Sequence, residues 1–435
     1  MSTVIIIVAL MCVSLILSIL VKPNIKVGRL ELGTYWMVAL VGALALVIAG
    51  CITPAEIGAG LIADTGINPI KILVLFISMT LQSIFLDEVG MFRYLANLTL
   101  KKAGGSQKKL FFYLYAIVAI LTIFTSNDII ILTFTPFICY FSKNAKINPI
   151  PFLFTEFVAA NTWSMTLIIG NPTNVYLASA NGITFLEYVE VMAIPAIIGG
   201  LTAMAVLYLL FRKQFATPLS KEEDDFKIQD KGLLVIGTAH LSVCTILLVI
   251  SSYIGMEMWL ITLCFAVSLV VFSLVYLSVK KQRFAVMGQC MKRLPWELIP
   301  FVLSMFVCIL CIDSVGLSRE IGNLLGEKNT VLTYGSVSFV TANLVNNIPM
   351  SVLFSSIVKG LSQANLMKGV YAAIVGSNIG AFFTPVGALA GIMWSGILKK
   401  HNVDFKFSTY VKYGTILSVP TLLATLLGLG WILGF

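Results

Sequence analysis

Long apolar runs separated by short polar stretches make up most of the 435-residue chain. Runs of about 20 apolar residues match the length of a helix that crosses the hydrocarbon core of a bilayer. Strands of a membrane barrel would instead alternate apolar and polar residues with a period of two. The pattern therefore predicts an all-α polytopic membrane protein with about ten transmembrane helices. The predicted spans are roughly 3–21, 33–51, 72–86, 150–181, 186–211, 233–253, 257–278, 296–312, 369–396 and 409–433.

Two further apolar regions, 110–141 and 329–358, are interrupted in the middle by polar residues. The first region contains Ser126, Asn127 and Asp128 between two apolar limbs of about 14 to 16 residues. Helices of that length would not comfortably span a bilayer at a rise of 1.5 Å per residue. Two complete spans or one re-entrant hairpin would return the chain to the same side, and the short limbs favour re-entrant hairpins whose polar tips lie inside the membrane.

Basic residues set the expected orientation of the chain. The sequence is 58% hydrophobic and only 11% charged, and its net charge is +9. Most of the basic residues lie in short loops, as the positive-inside rule describes for cytoplasmic loops, so the charge does not indicate nucleic-acid binding. These loops lie near residues 22–29, 93–109, 143–146, 212–213, 280–283 and 399–400. Both termini are then external, and residues 216–232 form a cytoplasmic linker between the halves 1–215 and 233–435.

The two halves share a weak internal repeat. Residues 78–98 and 304–324 are identical at 8 of 21 positions with a constant offset of 226. Because an odd number of full spans lies between the two copies, they are expected to have opposite orientations in the membrane. The sequence therefore predicts two inverted-topology repeats, each with one hairpin and one broken helix. The broken helices are 150–181 and 369–396.

Polar breaks interrupt four of the apolar segments, two in each half. In hydrocarbon, irregular backbone is tolerated only where it lines a cavity inside the protein. Helix N-termini at such breaks attract anions, whereas helix C-termini and free carbonyl groups attract cations. The breaks therefore predict a binding site for a small anion or oxyacid. Its candidate residues are Ser126, Asn127, Gly170, Asn171, Thr173, Asn174, Asn346, Asn347, Thr384 and Gly387.

Four residues are candidates for coupling transport to an ion gradient. Asp128 is a formal charge at a break, and a carboxylate inside a membrane is costly unless it is paired or used. It would bind sodium, exchange a proton or cap the second limb of its hairpin. Glu156 would couple to an ion or pair with an interfacial lysine, and Asn161 and Asn378 occupy matching positions of the two broken helices. We expect sodium or a proton as the coupling ion and no cofactor.

Several segments carry a family resemblance. SNDIIILTFTP (126–136) resembles the first signature of the ion transporter superfamily, which holds arsenite permeases, NhaD-type sodium/proton antiporters and divalent-anion symporters. VNNIPMSVL (345–353) resembles the matching signature of the second half. The segments at 295–317 and 376–394 are similar to those of arsenite pumps. The resemblance implies a scaffold that forms a homodimer, and a transport domain that moves like an elevator.

The resemblance also implies a function. A member of this superfamily would be a secondary transporter of a small anion or oxyacid in the inner (plasma) membrane of a prokaryote, similar to the arsenite and antimonite efflux pumps. The alternatives are a sodium-coupled di- or tricarboxylate or sulfate symporter, and a sodium/proton antiporter. No nucleophile–base pair or phosphate-binding loop is found in the sequence, so we do not expect an enzyme. An external ATPase subunit is a further candidate partner.

Overall fold

A computed structural model describes residues 2–22, 24–27, 30–62, 68–218, 227–403 and 405–435. The predicted linker is described only at its two ends, because residues 219–226 lie outside these ranges, as do residues 23 and 28–29 of the first basic loop. Most of the described chain is helical. Its two-stranded sheet is an antiparallel hairpin in which Asn24 pairs with Gly33, formed by β1 (Asn24–Val27) and β2 (Leu30–Gly33).

The helices follow one another closely along the chain. The N-terminal part contains α1 (Ser2–Val21), α2 (Thr34–Ile48), α3 (Pro54–Ile62), α4 (Pro69–Glu88), α5 (Met91–Ala103), α6 (Gln107–Phe124), α7 (Asn127–Asn144), α8 (Ile150–Trp163), α9 (Pro172–Ala180) and α10 (Phe185–Phe215). The C-terminal part contains α11 (Lys231–Val249), α12 (Ser251–Ile254), α13 (Met258–Val279), α14 (Ala285–Arg293), α15 (Leu298–Ser314), α16 (Leu317–Leu325), α17 (Thr330–Val345), α18 (Asn347–Ile357), α19 (Gln363–Gly380), α20 (Leu389–Lys400) and α21 (Phe407–Leu433).

Within the described residues, seven helical stretches are long and apolar enough to cross a membrane. They are α4, α6, α10, α11, α13, α21 and the stretch that carries α14 and α15. The apolar helices α2 and α17 are shorter, as is the stretch Ser2–Ser18 of α1 that could be assessed, and the predicted spans at 150–181 and 369–396 are each divided into two helices. This architecture confirms the predicted all-α polytopic class.

The limbs of the first predicted hairpin are longer than the sequence suggested. Helices α6 and α7 have 18 residues each, whereas the expectation was 14 to 16. The difference arises because polar residues at the ends are helical too: the Ser106 side chain caps α6 by accepting a hydrogen bond from the N–H of Lys109 at 3.3 Å. Length alone therefore does not separate a re-entrant hairpin from two spans, and the hairpin stays a prediction.

The C-terminal part repeats the order of helices of the N-terminal part. Helix α2 packs against α15 as α13 packs against α4, and α9 packs against α18 as α20 packs against α7. Gly90, between α4 and α5, and Gly316, between α15 and α16, both have left-handed backbones, with φ of 90° and 75°. This exchange of partners supports a two-fold relation between the halves. Their opposite orientation in the membrane stays a prediction.

Candidate functional site

The break between α8 and α9 consists of two short 3-10 turns, Ser164–Thr166 and Ile168–Gly170. Asn171 then caps α9, since its Oδ1 accepts a hydrogen bond from the N–H of Thr173 at 3.1 Å. Pro172 occupies the first position of α9, where the missing N–H of proline costs nothing. The Gly-Asn-Pro-Thr-Asn stretch therefore ends one helix and starts the next inside the protein.

The amide of Asn378, in the last turn of α19, joins the two broken helices. Its Oδ1 accepts hydrogen bonds from the hydroxyl of Ser164 at 2.8 Å and from Nδ2 of Asn171 at 3.1 Å. Its Nδ2 donates to Oδ1 of Asn174 at 2.7 Å. All four side chains are completely or almost completely buried, so these hydrogen bonds replace solvation that water would otherwise provide. Asn378 is thus the point at which the breaks of the two halves meet.

A second set of contacts supports this junction. The hydroxyl of Ser377 donates to Oγ1 of Thr173 at 2.9 Å. Nδ2 of Asn174 donates to the carbonyl groups of Ser164 at 2.8 Å and Leu167 at 3.2 Å, and the carbonyl of Leu167 also accepts from the N–H of Gly170 at 3.1 Å. The Asn174 side chain therefore connects the first turn of α9 to the backbone of the break.

The beginning of α19 is anchored as well. Glu327, in the loop before α17, accepts hydrogen bonds from the N–H of Ser362 at 2.9 Å and from Nδ2 of Asn365 at 2.7 Å. Because the Ser362 and Asn365 donors stabilise the carboxylate, they hold the pKa of Glu327 below its usual value. These contacts hold the beginning of α19 against the loop that precedes α17.

The first polar tip, between α6 and α7, contacts the same region. Nδ2 of Asn127 donates to Oδ1 of Asn161 at 3.1 Å, and Nδ2 of Asn161 donates to the carbonyl of Phe157 at 2.8 Å. Oδ1 of Asn127 and the hydroxyl of Ser126 are buried and have no hydrogen-bond partner in the described part of the chain. Buried polar atoms without a hydrogen-bond partner are uncommon in proteins. Each one calls for an explanation, such as a role in function or a bound ion.

Asp128 lies beside these atoms in the first turn of α7 and is partly buried. Its carboxylate makes no hydrogen bond or ion pair with any described group, and the N-cap residue Ser126 makes no side-chain capping bond. Asp128 therefore does not hold the end of the helix by a hydrogen bond, which was one of its expected roles. Instead, three consecutive residues present unpartnered oxygen atoms at one helix N-terminus.

The second polar tip, between α17 and α18, lies against the other break. Nδ2 of Asn346 donates to the carbonyl of Val386 at 3.0 Å, and the N–H of Asn347 donates to the carbonyl of Gly387 at 3.1 Å. Asn346 has φ of 76° and ψ of 154°, a conformation that residues other than glycine rarely adopt. These two contacts fix the tip in this conformation against the α19–α20 break.

Asn343, within α17, organises the α19–α20 break. Its Oδ1 accepts hydrogen bonds from the N–H and hydroxyl of Thr384, at 3.1 and 2.7 Å, and its Nδ2 donates to the carbonyl of Gly380 at 3.1 Å. Sequence reasoning missed Asn343, and also Ser164 and Ser377. Each of the three is a polar residue inside an apolar helical stretch close to a break, and that position was the available signal.

Two glycines lie at the tightest points of the breaks. A Cβ atom at Gly170 would overlap the carbonyl group of Ser164. A Cβ atom at Gly387, the matching residue of the second half, would overlap the carbonyl of Gly380 and lie 2.7 Å from Oδ1 of Asn343. Only a residue without a side chain fits at either position.

The structure thus connects most of the predicted substrate residues, some through Asn378 and others through Asn343. Glu156 is not part of this network. Its carboxyl group lies between α7, α8 and α20, and no described lysine pairs with it, in contrast to one of the two expectations for this residue. The tips of the two hairpins each contact a break, and no hydrogen bond joins one tip to the other.

Comparison with known proteins gives matches over most of the chain. Residues 30–373 match the sequence pattern of the CitMHS family, described as citrate transporter. An arsenical pump membrane protein of Escherichia coli K12 is 26% identical over 419 residues, which cover 93% of this chain and 95% of the relative. A putative arsenical pump membrane protein of Bacillus subtilis is 23% identical over 419 residues, with coverage of 89% and 92%.

Two solved structures share the fold. The YdaH transporter of Alcanivorax borkumensis superposes with a TM-score of 0.56 at 14% identity, and both chains are covered completely. MtrF of Neisseria gonorrhoeae gives a TM-score of 0.50 at 12% identity and covers 100% of this chain and 95% of its own. The superposition over nearly the whole of both chains indicates a common architecture, and at such low identity it says nothing about the substrate.

Proposed function

Because the chain belongs to the citrate transporter family, within the ion transporter superfamily that holds the arsenite permeases, we propose that it is a secondary transporter of a small anion or oxyacid. An ion gradient would drive transport. The observation that carries this proposal is the junction at Asn378, where polar breaks from both halves meet in a buried site. Broken helices that meet in the middle of a membrane protein are the usual substrate site of secondary transporters.

The chemistry of the site favours an arsenite-like or antimonite-like oxyacid. Its described side chains are amides and hydroxyls, and no described Lys or Arg pairs with them. Amides and hydroxyls suit the O–H groups of an uncharged or weakly charged oxyacid, whereas a buried di- or tricarboxylate would need compensating positive charge. The names of the arsenical pump relatives point the same way.

A carboxylate or sulfate symporter is the second candidate. The family description supports it, and bound sodium ions would supply the positive charge that the side chains lack. The unpartnered oxygen atoms of Ser126, Asn127 and Asp128 would then bind the cation. In either case we place a coupling sodium ion or proton at this tip, and a sodium/proton antiporter would use the same group.

The remaining features of the proposal concern architecture. The transport domain would carry the two hairpins and the two broken helices, and the rest of the chain would form a scaffold that pairs with a second copy. The two halves would be inverted repeats in the inner membrane of a prokaryote, with both termini external and the linker 216–232 cytoplasmic. An ATPase subunit would be an additional partner and is not needed for gradient-driven transport.

Purified protein in proteoliposomes provides the test. Arsenite, antimonite, citrate, succinate and sulfate fluxes are measured under an imposed sodium or pH gradient. We expect gradient-driven arsenite flux that falls about tenfold or more in Asp128→Asn, since this variant removes the charge of the coupling site. Glu190→Gln, which removes an exposed carboxyl group on α10, is the matched control and should transport normally.

Two outcomes would count against the proposal. Sodium-dependent citrate or succinate uptake without arsenite flux would replace the first candidate by the second. If none of the five compounds moved in wild-type vesicles that are shown to be sealed, the proposed substrate class would be wrong.

A further inference from the structure

Glu156 is a completely buried acid that the proposed substrate site does not use. It lies six residues into α8, roughly 9 Å along the helix from its first residue at a rise of 1.5 Å per residue. Its exposed fraction is 0%. The hydroxyl of Thr135, on α7, lies 3.2 Å from both carboxyl oxygens.

The neighbours of Glu156 on the surrounding helices provide no positive charge. Thr135 and the thiol of Cys139 face it from α7. Trp394 is the neighbouring polar side chain on α20, and its buried indole N–H has no hydrogen-bond partner in the described structure. Tyr410 of α21 packs behind Trp394, with ring centroids 5.6 Å apart. No Lys, Arg or His among the described residues forms an ion pair with the carboxyl group.

A carboxylate in such a place is not compensated. One hydroxyl proton shared between two oxygens at 3.2 Å satisfies little of its charge. A membrane interior that offers neither water nor a cation favours the neutral acid, which carries its own proton. If this position served only to connect α8 with α7, a glutamine would be sufficient. Its amide oxygen would accept the same hydrogen bond from Thr135, and its side chain does not ionise.

The position of Glu156 links it to the moving parts of the proposed transporter. Thr135 is on the helix that begins at the first polar tip, seven residues after Asp128. Trp394 is on the helix that follows the second break, and α20 packs directly against α7. A change in the arrangement of the first hairpin and the second broken helix would therefore change the surroundings of the carboxyl group.

We propose that Glu156 binds and releases a proton that couples substrate movement to a pH gradient, in addition to the sodium ion or proton placed at the first polar tip. This inference rests on the proposed function. In one state of the transporter the carboxyl O–H bond is intact beside Thr135 and Trp394. In the other state water reaches the group, the O–H bond breaks, and the proton passes to water while the carboxylate is solvated. The substrate takes no part in this proton transfer.

The test compares two activities: exchange of arsenite across the membrane without any gradient, and accumulation of arsenite driven by a pH gradient. In proteoliposomes, Glu156→Gln keeps the size and the Thr135 contact but cannot ionise. We expect it to exchange labelled for unlabelled arsenite at equal concentrations and equal pH at nearly the wild-type rate. Accumulation driven by a pH gradient should fall about tenfold or more, and the pH dependence of flux should flatten, while Glu156→Asp should restore part of that dependence.

Thr135→Val serves as the comparison variant. Thr135→Val removes the hydroxyl but leaves the acid, so its pH-driven accumulation should persist with a shifted pH profile. If Glu156→Gln accumulated arsenite under a pH gradient as the wild type does, Glu156 would be a structural residue only. If it folded normally but lost exchange as well, the proton assignment would also be overturned, because Glu156 would then be needed for substrate movement itself.

A measurement on the wild-type protein does not depend on any variant. Arsenite binding is followed by calorimetry in two buffers that differ in ionisation enthalpy. Linked proton release or uptake of a sizeable fraction of one proton per bound substrate is expected, by the reciprocity of coupled equilibria. Arsenite binding without any linked proton would contradict the inference. A wild-type protein that neither bound nor moved arsenite would instead contradict the proposed function.

Discussion

Asn378→Ala is expected to abolish transport and to destabilise the protein. The substitution removes the only group that accepts from both Ser164 and Asn171 and donates to Asn174 in the described structure. Each buried polar group that loses its partner costs about 1–3 kcal/mol. Since Nδ2 of Asn171 and Oδ1 of Asn174 both lose theirs, we expect a total destabilisation of roughly 2–6 kcal/mol.

The measurement combines thermal unfolding of the purified variant with flux in proteoliposomes. Arsenite flux should fall about a hundredfold or more, because the junction positions groups from both halves. Gln363→Ala truncates an exposed amide on the same helix and should change neither quantity noticeably. Asn378→Asp has the shape of asparagine but cannot donate to Asn174, so it should also fail. Wild-type flux in Asn378→Ala would show that the junction is not part of the transport site.

Gly170→Ala and Gly387→Ala are expected to have the next largest effects. The added Cβ would overlap the carbonyl of Ser164 in the first variant and that of Gly380 in the second. Because a backbone carbonyl cannot turn aside as a flexible side chain can, the break itself must open. Overpacking of this kind costs about 1–3 kcal/mol. Flux should fall about tenfold or more in both variants, since the displaced groups include the backbone that Asn174 and Asn343 bind.

Gly396→Ala is the matched control for these two substitutions. Gly396 lies within α20, and beyond its chain neighbours and the backbone of its own helix no described atom lies within 4 Å of the position that its Cβ would occupy. Alanine is a better helix former than glycine by about 1 kcal/mol, so this variant should be as stable as the wild type or slightly more so. If the melting temperature and flux of Gly170→Ala and Gly387→Ala resembled those of Gly396→Ala, the close packing at the breaks would have no functional meaning.

Spans and breaks could be predicted from the sequence because they depend on local composition. The first broken helix was expected at 150–181 and extends from Ile150 to Ala180. Gly, Pro and Asn end helices wherever they occur in such runs, so the positions of the breaks follow from the residues themselves. Helices α5 and α16 were not predicted, because they are short and mix polar with apolar residues.

Contacts between the halves could not be predicted in the same way. The repeat places Asn161 and Asn378 in equivalent positions, yet Asn161 binds Asn127 of its own half whereas Asn378 binds the break of the other half. That asymmetry depends on how α8 and α19 pack, which no local pattern encodes. The surroundings of Glu156 are a similar case, since Thr135 and Trp394 come from helices far apart in the sequence.

The most direct test of the central claim is equilibrium binding of arsenite to the purified protein. If the breaks of both halves form one substrate site, the wild type should bind with a single affinity and a stoichiometry of one per chain. Asn127→Ala, from the first tip, and Asn347→Ala, from the second, should each weaken that binding about tenfold, as expected for the loss of one buried hydrogen bond. The account would be contradicted by arsenite binding that neither substitution weakens, or that only one of them weakens.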